Sequence, residues 1–515
     1  MTGLLVGLLV MEGLFARTYG GYVAGGGTDE AYSIIQTTDG GFAVAGFTES
    51  FGINSEFLML KLDNTGGLEW ARTYGGACGE FVHSIAQTSD GGYIAAAYTS
   101  SFGAGYADFL VLKLNSSGNL EWARTYGGTD YDSAYCIIQS SDGGYVVVGN
   151  TRSFGAGNWD ILVLKLASNG AVSWARTFGG TGWDKAYSVT QTTDGGYAIA
   201  GWTMSFGAGS YDILVLKLDG SGALSWAKTL GGTSGDRAYC ITQTSDGGVA
   251  VVGETSSFGG SWDFLAFKLD SAGDVSWARI FTGTKQEYGS VTQTSDGGFA
   301  AAGWTAAFGE GGKDFFFLRL DPGGDLLWAR TFGGPSDDVA YSLVQTTDGG
   351  YAVAGYTNSF GAGYADFLVM RLGPSGNYPD CVEECLPPIV IPTLTVSSPL
   401  VGADCSPSLS VPTPMVGSPA PTITDACEPL LRAKEGPGAP GSQPGITCSP
   451  VPGGALFIAS ADLPLRIYAA DGRLIYSGTL QKGQNRITLD RGVYLYSVDL
   501  RFWQAGEHTG KVVIR

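Results

Sequence analysis

Residues 13–21 read GLFARTYGG, and close relatives of this stretch recur down the chain: EWARTYGG at 69–76 and 121–128, SWARTFGG at 173–180, SWAKTLGG at 225–232, SWARIFTG at 276–283 and LWARTFGG at 327–334. Each later copy follows a strand-like run of the type DFLVLKL. The last such run, DFLVMRL at 366–372, leads instead into GPSGNYPDC. The chain therefore begins with the piece that its last repeat lacks.

A second motif sets the period. DGG occurs at Asp39, Asp90, Asp142, Asp194, Asp246, Asp296 and Asp348, at spacings of 51, 52, 52, 52, 50 and 52, so seven units fill residues 13–373. One unit reads as four strands: AYSIIQT, a tight DGG turn, YAVAGYT, a longer SFGAGYAD connection, DFLVLKL, a short turn, and LEWARTYGG. Many of these runs are apolar on both faces, as in sheets covered on both sides. Seven four-stranded sheets, each covered by its neighbours, describe a seven-bladed β-propeller. GLFARTYGG then supplies the missing outer strand of the seventh blade and leaves no open sheet edge between first and last units. An open solenoid, the alternative, has no reason to borrow a strand.

The totals agree with an all-β chain of more than one unit. Among 515 residues there are 82 glycines, and only 15% are charged. A net charge of −19 argues against nucleic acid as a partner. Residues 1–12 form an apolar leader without a basic start, read either as a truncated signal peptide or as a segment packed on the protein. No other run is long enough for a transmembrane helix. Residues 374–453 read as a Pro/Ser/Cys-rich linker, since 17 of the 20 prolines fall in the region 373–453. Five of the eight cysteines (Cys381, Cys385, Cys405, Cys427 and Cys448) lie there too, which points to disulfide bonds and an oxidising compartment. Residues 454–515 regain a folded pattern, with hairpin signals at Asp471-Gly472 and Arg491-Gly492, and read as a small β-sandwich.

The DGG-containing unit resembles the propeller repeats of bacterial and archaeal surface proteins, and it is laid out like a WD-type blade. The elements IYAADGRLIY, RGVYLYSV and GKVVIR resemble the sorting domain of the bacterial type IX (Por) secretion system. That likeness implies export, contact with the secretion machinery, and a secreted or cell-surface location.

Residues for catalysis are scarce. With only His83 and His508, a Ser-His-Asp or Cys-His triad has little to build on, and His83 stands where sister units carry Tyr. The Cys-x-x-x-Cys of 381–385 lacks a second pair, which argues against a zinc site. No cofactor motif is present, and no catalytic or metal residue is assigned. One carboxylate recurs before the innermost strand: Asp29, Glu80, Asp132, Asp184, Asp236 and Asp338, with Gln286 breaking the series. These fall at the channel mouth, where they either attract a cation or basic ligand or fix their own loops by accepting backbone N–H bonds. A second acidic series, Asp108 and its sisters, reads as turn caps or ion pairs, with Asp108 near Arg124. The recurring Gln36, Gln87 and their sisters read as blade-to-blade bridges.

Function is expected where the units differ. On the face carrying the long connections these positions include Tyr106, Tyr131, Trp159, Trp183, Tyr211, Trp262 and Tyr364, which suit the binding of sugar rings or of a protein surface. The expectation is a non-catalytic, exported propeller that recognises a glycan or an extracellular protein. The alternatives are an extracellular hydrolase or lyase using rim carboxylates, and a structural envelope scaffold.

Overall fold

The computed structural model describes residues 14–20, 27–51, 54–258, 262–282, 289–309, 312–360 and 364–376, and beyond them the backbone of the strands between 383 and 514. The leader lies outside the described residues, as do the side chains of the five linker cysteines and hence their pairing. The chain divides into two compact units, 1–434 and 435–515.

The first unit is a seven-bladed β-propeller of antiparallel sheets, and no described residue is helical. Blade 1 consists of Asp29–Gln36, Phe42–Thr48, Glu56–Leu62 and Leu68–Gly75. Its sisters follow in order, with first strands starting at Glu80, Asp132, Asp184, Asp236, Gly289 and Asp338. The first strands of neighbouring blades touch all round the ring, so they are innermost. The second and third strands are buried along nearly their whole length, which is why alternation is absent from their sequences.

The ring closes as the first nine quoted residues require. Phe15–Tyr19 pairs antiparallel with Asp366–Leu372, from Phe15 opposite Arg371 to Tyr19 opposite Phe367. The borrowed strand also makes the interblade contacts of its sisters. The Tyr19 hydroxyl donates to Gly66 O at 2.7 Å, as Tyr74 does to Gly118 O at 2.5 Å and Tyr126 to Gly170 O at 2.6 Å. The acceptor must be glycine: Gly118 has φ of 77°, and a Cβ there would stand 2.9 Å from the Trp70 indole of the preceding blade.

The face carrying the DGG turns, here the lower face, is the same in every unit. Gly40 takes φ of 85°, Gly40 N donates to Thr37 O, and Asp39 accepts the Thr37 hydroxyl and Gly41 N. The inner-strand glutamines bridge blades. Thr38 N donates to Gln87 Oε1 at 2.9 Å and Ser89 N to Gln139 Oε1 at 2.8 Å; Thr347 N closes the circle on Gln36 Oε1 at 2.9 Å.

Part of the segment expected to be a linker is paired to the propeller. Glu383–Glu384, Ile389–Val390 and Thr395–Ser397 add fifth strands to the outer edges of blades 6, 5 and 4. Met415–Gly417 and Thr422–Asp425 do the same for blades 2 and 1. These five strands meet the blades in the order 6, 5, 4, 2 and 1, against the chain direction. Prolines cannot donate to a ladder, but the short non-proline runs between them can, and an outer edge needs pairing on one side only.

In the second unit Ile446–Val451, Gly454–Ala459 and Gly483–Thr488 form one sheet. Leu463–Ala469 is flanked by Leu474–Leu480 and Gly492–Asp499, and Glu507–Ile514 completes a four-stranded sheet. Its first strand lies inside the range assigned from sequence to the linker. Pro450 disguised it, and an edge strand tolerates the proline.

Candidate functional site

The long connections meet on the upper face, where the backbone itself joins neighbouring blades. Single parallel bridges link Ala107 to Tyr131, Trp159 to Trp183 and Tyr211 to Gly235. Asp132 N donates to Ala107 O, Asp184 N to Trp159 O and Asp236 N to Tyr211 O at 2.7–2.8 Å. At these junctions the loop before the third strand is thereby laid against the entry to the next blade, and aromatic residues from two blades come together.

Six of the seven aromatic candidates fall in this arc. Tyr106 and Tyr131 stack at 5.1 Å with an interplanar angle of 14°. Tyr131 stands 6.5 Å from Trp159, and Tyr211 stacks with Trp262 at 6.0 Å and 8°. Tyr106, Tyr131 and Trp183 are 67%, 41% and 43% exposed, whereas Trp159, Tyr211 and Trp262 are half-buried. Tyr364 lies between blades 7 and 1, where its N–H meets Gly27 O, away from this arc.

The carboxylate series is placed differently. Asp29, Glu80, Asp132, Asp184, Asp236 and Asp338 are all 0% exposed. Asp184 accepts the Thr203 and Ser205 hydroxyls and Gly180 N; Asp132, Asp236 and Asp338 take the equivalent serine and glycine contacts. These groups tie the entry loop of a blade to its second strand and are closed to a ligand in the channel. Burial raises the pKa of Asp132, Asp184 and Asp236. Asp108 is a turn cap: it accepts Ala104 N and Gly105 N, while Arg124 pairs in register with Val111 and reaches Asn169 O instead.

The axis holds a cavity of about 310 Å³ collared by Tyr32, His83, Tyr135, Tyr187, Tyr239 and Tyr341. Burial holds His83 down at about 4, so it is neutral, and it stacks on Tyr135 at 4.8 Å. Below the collar Cys136 and Cys240 occupy the serine position as free thiols that donate to Val189 O and Val291 O.

Several residues of the arc were not singled out from sequence. Position two of the inner strand varies, with Glu30, Phe81, Ser133, Lys185, Arg237 and Val339, and so does its cross-strand partner. Lys185 faces Trp202, and Arg237 faces Glu254. The Lys185 ammonium lies 4.8 Å from the Trp159 ring centroid, 5.7 Å from Trp183 and 5.8 Å from Trp202. Arg237 bonds Glu254 and the Tyr211 hydroxyl, each at 2.9 Å, and sits 4.5 Å and 4.9 Å from the Tyr211 and Trp262 rings. Tyr239 donates to the same Glu254 oxygen at 2.7 Å. Arg152 packs against Tyr131 and Trp159. The signal that would have found them is variation between repeats at one register position, whatever the residue type. Among the described residues, no group of three His, Cys, Asp or Glu side chains could hold a metal ion.

No family model and no curated protein matches the chain. Solved structures do. The chain is similar to a protein of unknown function from Dyadobacter fermentans, at 13% identity over 69% of this chain and 98% of that one, with a TM-score of 0.39. It is similar to the β-propeller domain of Cps50 (Swd1) from Myceliophteria thermophila, at 7% identity over 64% and 94%, with a TM-score of 0.41. It is also similar to PorZ, a surface component of the type-IX secretion system of Porphyromonas gingivalis, at 8% identity over 97% and 100%, with a TM-score of 0.24. Among the described residues no helix is long and apolar enough to cross a membrane.

Proposed function

We propose that the protein is a non-catalytic glycan receptor of the cell exterior, and that it binds through the aromatic arc of blades 2–5. One observation carries this reading: rings contributed by successive blades lie side by side, and the stacked pair Tyr106–Tyr131 and the neighbouring Trp183 remain open to solvent. A pyranose presents a flat C–H face and a rim of hydroxyls. Exposed indole and phenol faces bury the former, while the phenol hydroxyls and nearby charges can bond the latter. The closed carboxylate series favours recognition over hydrolysis, because general acid catalysis needs a carboxyl group within reach of the glycosidic oxygen. In this reading the C-terminal unit, with its likeness to a type IX sorting domain, serves delivery to the surface.

The test is a glycan array probed with the full chain, followed by Tyr131→Ala and Trp183→Ala. Binding that falls at least 10-fold in either variant, with the unfolding midpoint unchanged, supports the reading. Absence of any glycan binding, or binding that both variants leave intact, overturns it.

A further inference from the structure

Among the described lysines most pair with a carboxylate, whereas Lys185 and Lys313 lie over indole rings. On the lower face Lys61, Lys113, Lys165 and Lys217 each hold the DGG aspartate of their own blade at 2.8–2.9 Å. Arg371 does so at 2.6 Å, and Lys268 and Arg319 likewise pair with Asp246 and Asp296. Lys185, on the upper face, is the more enclosed of the two lysines that lie over indoles. Its ammonium lies among three indoles, and among the described residues no carboxylate pairs with it. Burial lowers its pKa, and the Arg237 guanidinium lowers it further. A half-buried ammonium beside a second cation costs stability in the free protein; its three indole contacts offset part of that cost, and a negative charge brought from outside would offset more.

We propose that the glycan bound by the arc is acidic, and that a carboxylate or sulfate on one of its sugar rings is seated against Lys185, beside Arg237. This deepens the glycan reading and rests on it. Three further observations favour it. Arg152, Lys185 and Arg237 gather in one arc of a chain whose net charge is −19, against Asp130 and Glu254 as their paired carboxylates. Arg237 is already oriented by Glu254 and Tyr211, so it contributes a fixed field without having to be ordered on binding. The aromatic faces of Trp159 and Trp183 border the ammonium directly, so one sugar ring can stack while its acidic substituent reaches Nζ. The remaining negative charge of the molecule does not forbid an acidic ligand, because at physiological ionic strength charges beyond about 8 Å are largely screened.

The experiment measures binding of the full chain, by calorimetry at fixed salt, to four probes. These are an oligogalacturonate hexasaccharide, the same hexasaccharide with its carboxyl groups reduced, a sulfated galactan hexasaccharide without carboxylates, and oligoglutamate. The proposal expects at least one acidic sugar to bind about 10-fold or more tighter than the carboxyl-reduced form. Lys185→Gln should abolish that preference by weakening the acidic sugar more than its carboxyl-reduced form; Lys185→Arg should keep it. The two acidic sugars tell carboxylate from sulfate. Equal affinity for acidic and neutral sugars, unaffected by Lys185→Gln, overturns the acidic specificity and leaves the glycan reading standing. Failure of all three sugars overturns the acidic specificity if the array nevertheless shows a neutral glycan bound, and overturns both if the array shows none. Oligoglutamate binding as tightly as the sugars, and lost in Lys185→Gln, overturns the sugar assignment in favour of an acidic protein. The unfolding midpoint of Lys185→Gln is measured alongside, and a lost preference at an unchanged midpoint is assigned to the ligand; if the midpoint falls, the retained preference of Lys185→Arg decides.

Discussion

The two ends of blades 2–5 are built from similar residues and behave in opposite ways. At the lower end an aspartate sits in a turn open to water and gathers donors. The Lys217 ammonium and the Thr192 hydroxyl hold Asp194 at about 2, and Lys268 with Thr244 does the same for Asp246. At the upper end burial outweighs the donors. It pushes Asp160 up to about 6, and it raises Asp108, Asp184 and Asp212 and the carboxyl of Glu30 as well. The lower face repeats because each turn satisfies itself, so any departure costs stability. On the upper face the buried carboxylates repeat as well, and the residues that diverge are those of the loops and of the second position of the inner strand. Repetition marks one face and variation the other.

The sharpest way to break the comparison is at the seam, where both faces depend on one borrowed strand. Tyr19 is 1% exposed and bonds Gly66 O across to blade 1. Tyr19→Ala should cost about 3–5 kcal/mol in urea unfolding, as truncation of a buried aromatic does. An effect near that of an exposed substitution would mean that the ring does not depend on closure.

The opposed carboxylates make a smaller and more specific prediction. Asp194 and Asp246 have folded values below the unfolded value of 3.8, so their contribution is present above pH 4 and is lost as pH falls toward 2. Asp160 has a folded value above 3.8, so its contribution is present below pH 4 and is lost as pH rises through about 6. Stability should therefore peak near pH 4 for these groups. Asp160→Asn, which keeps an acceptor for Gly157 N, should flatten the limb between pH 4 and 6 and leave the acid limb unchanged. A profile whose upper limb is unaltered would show that Asp160 is ordinary.

The smallest effect belongs to the lower ring. Gln139→Ala removes the acceptor of Ser141's neighbour in the circle, Ser89 N, and should cost about 0.5–1.5 kcal/mol, because that N–H is near solvent and can rebind water. A much larger loss would show that the seven amide bridges act cooperatively.

Much of this molecule was legible before any coordinates. The DGG period counts the blades, and the misplaced GLFARTYGG names the closing strand. Gln36 and its sisters could be read as bridges because an amide repeated on an inner strand needs a repeated partner. The short edge strands between 383 and 425 were not legible, since proline density hides segments such as Thr395–Ser397 that gain their pairing only from a distant edge. The aromatic arc was half legible: the rings stood out as residue types, but Lys185 and Arg237 did not.

What the sequence alone determined is the set of properties that repeat, namely strand order, turn chemistry and ring closure, because each depends on local geometry copied seven times. Only the tertiary structure decided which unlike residues of different blades meet. Lys185 acquires its meaning from Trp159, Trp183 and Arg237, and those neighbours are set by the packing of one blade on the next.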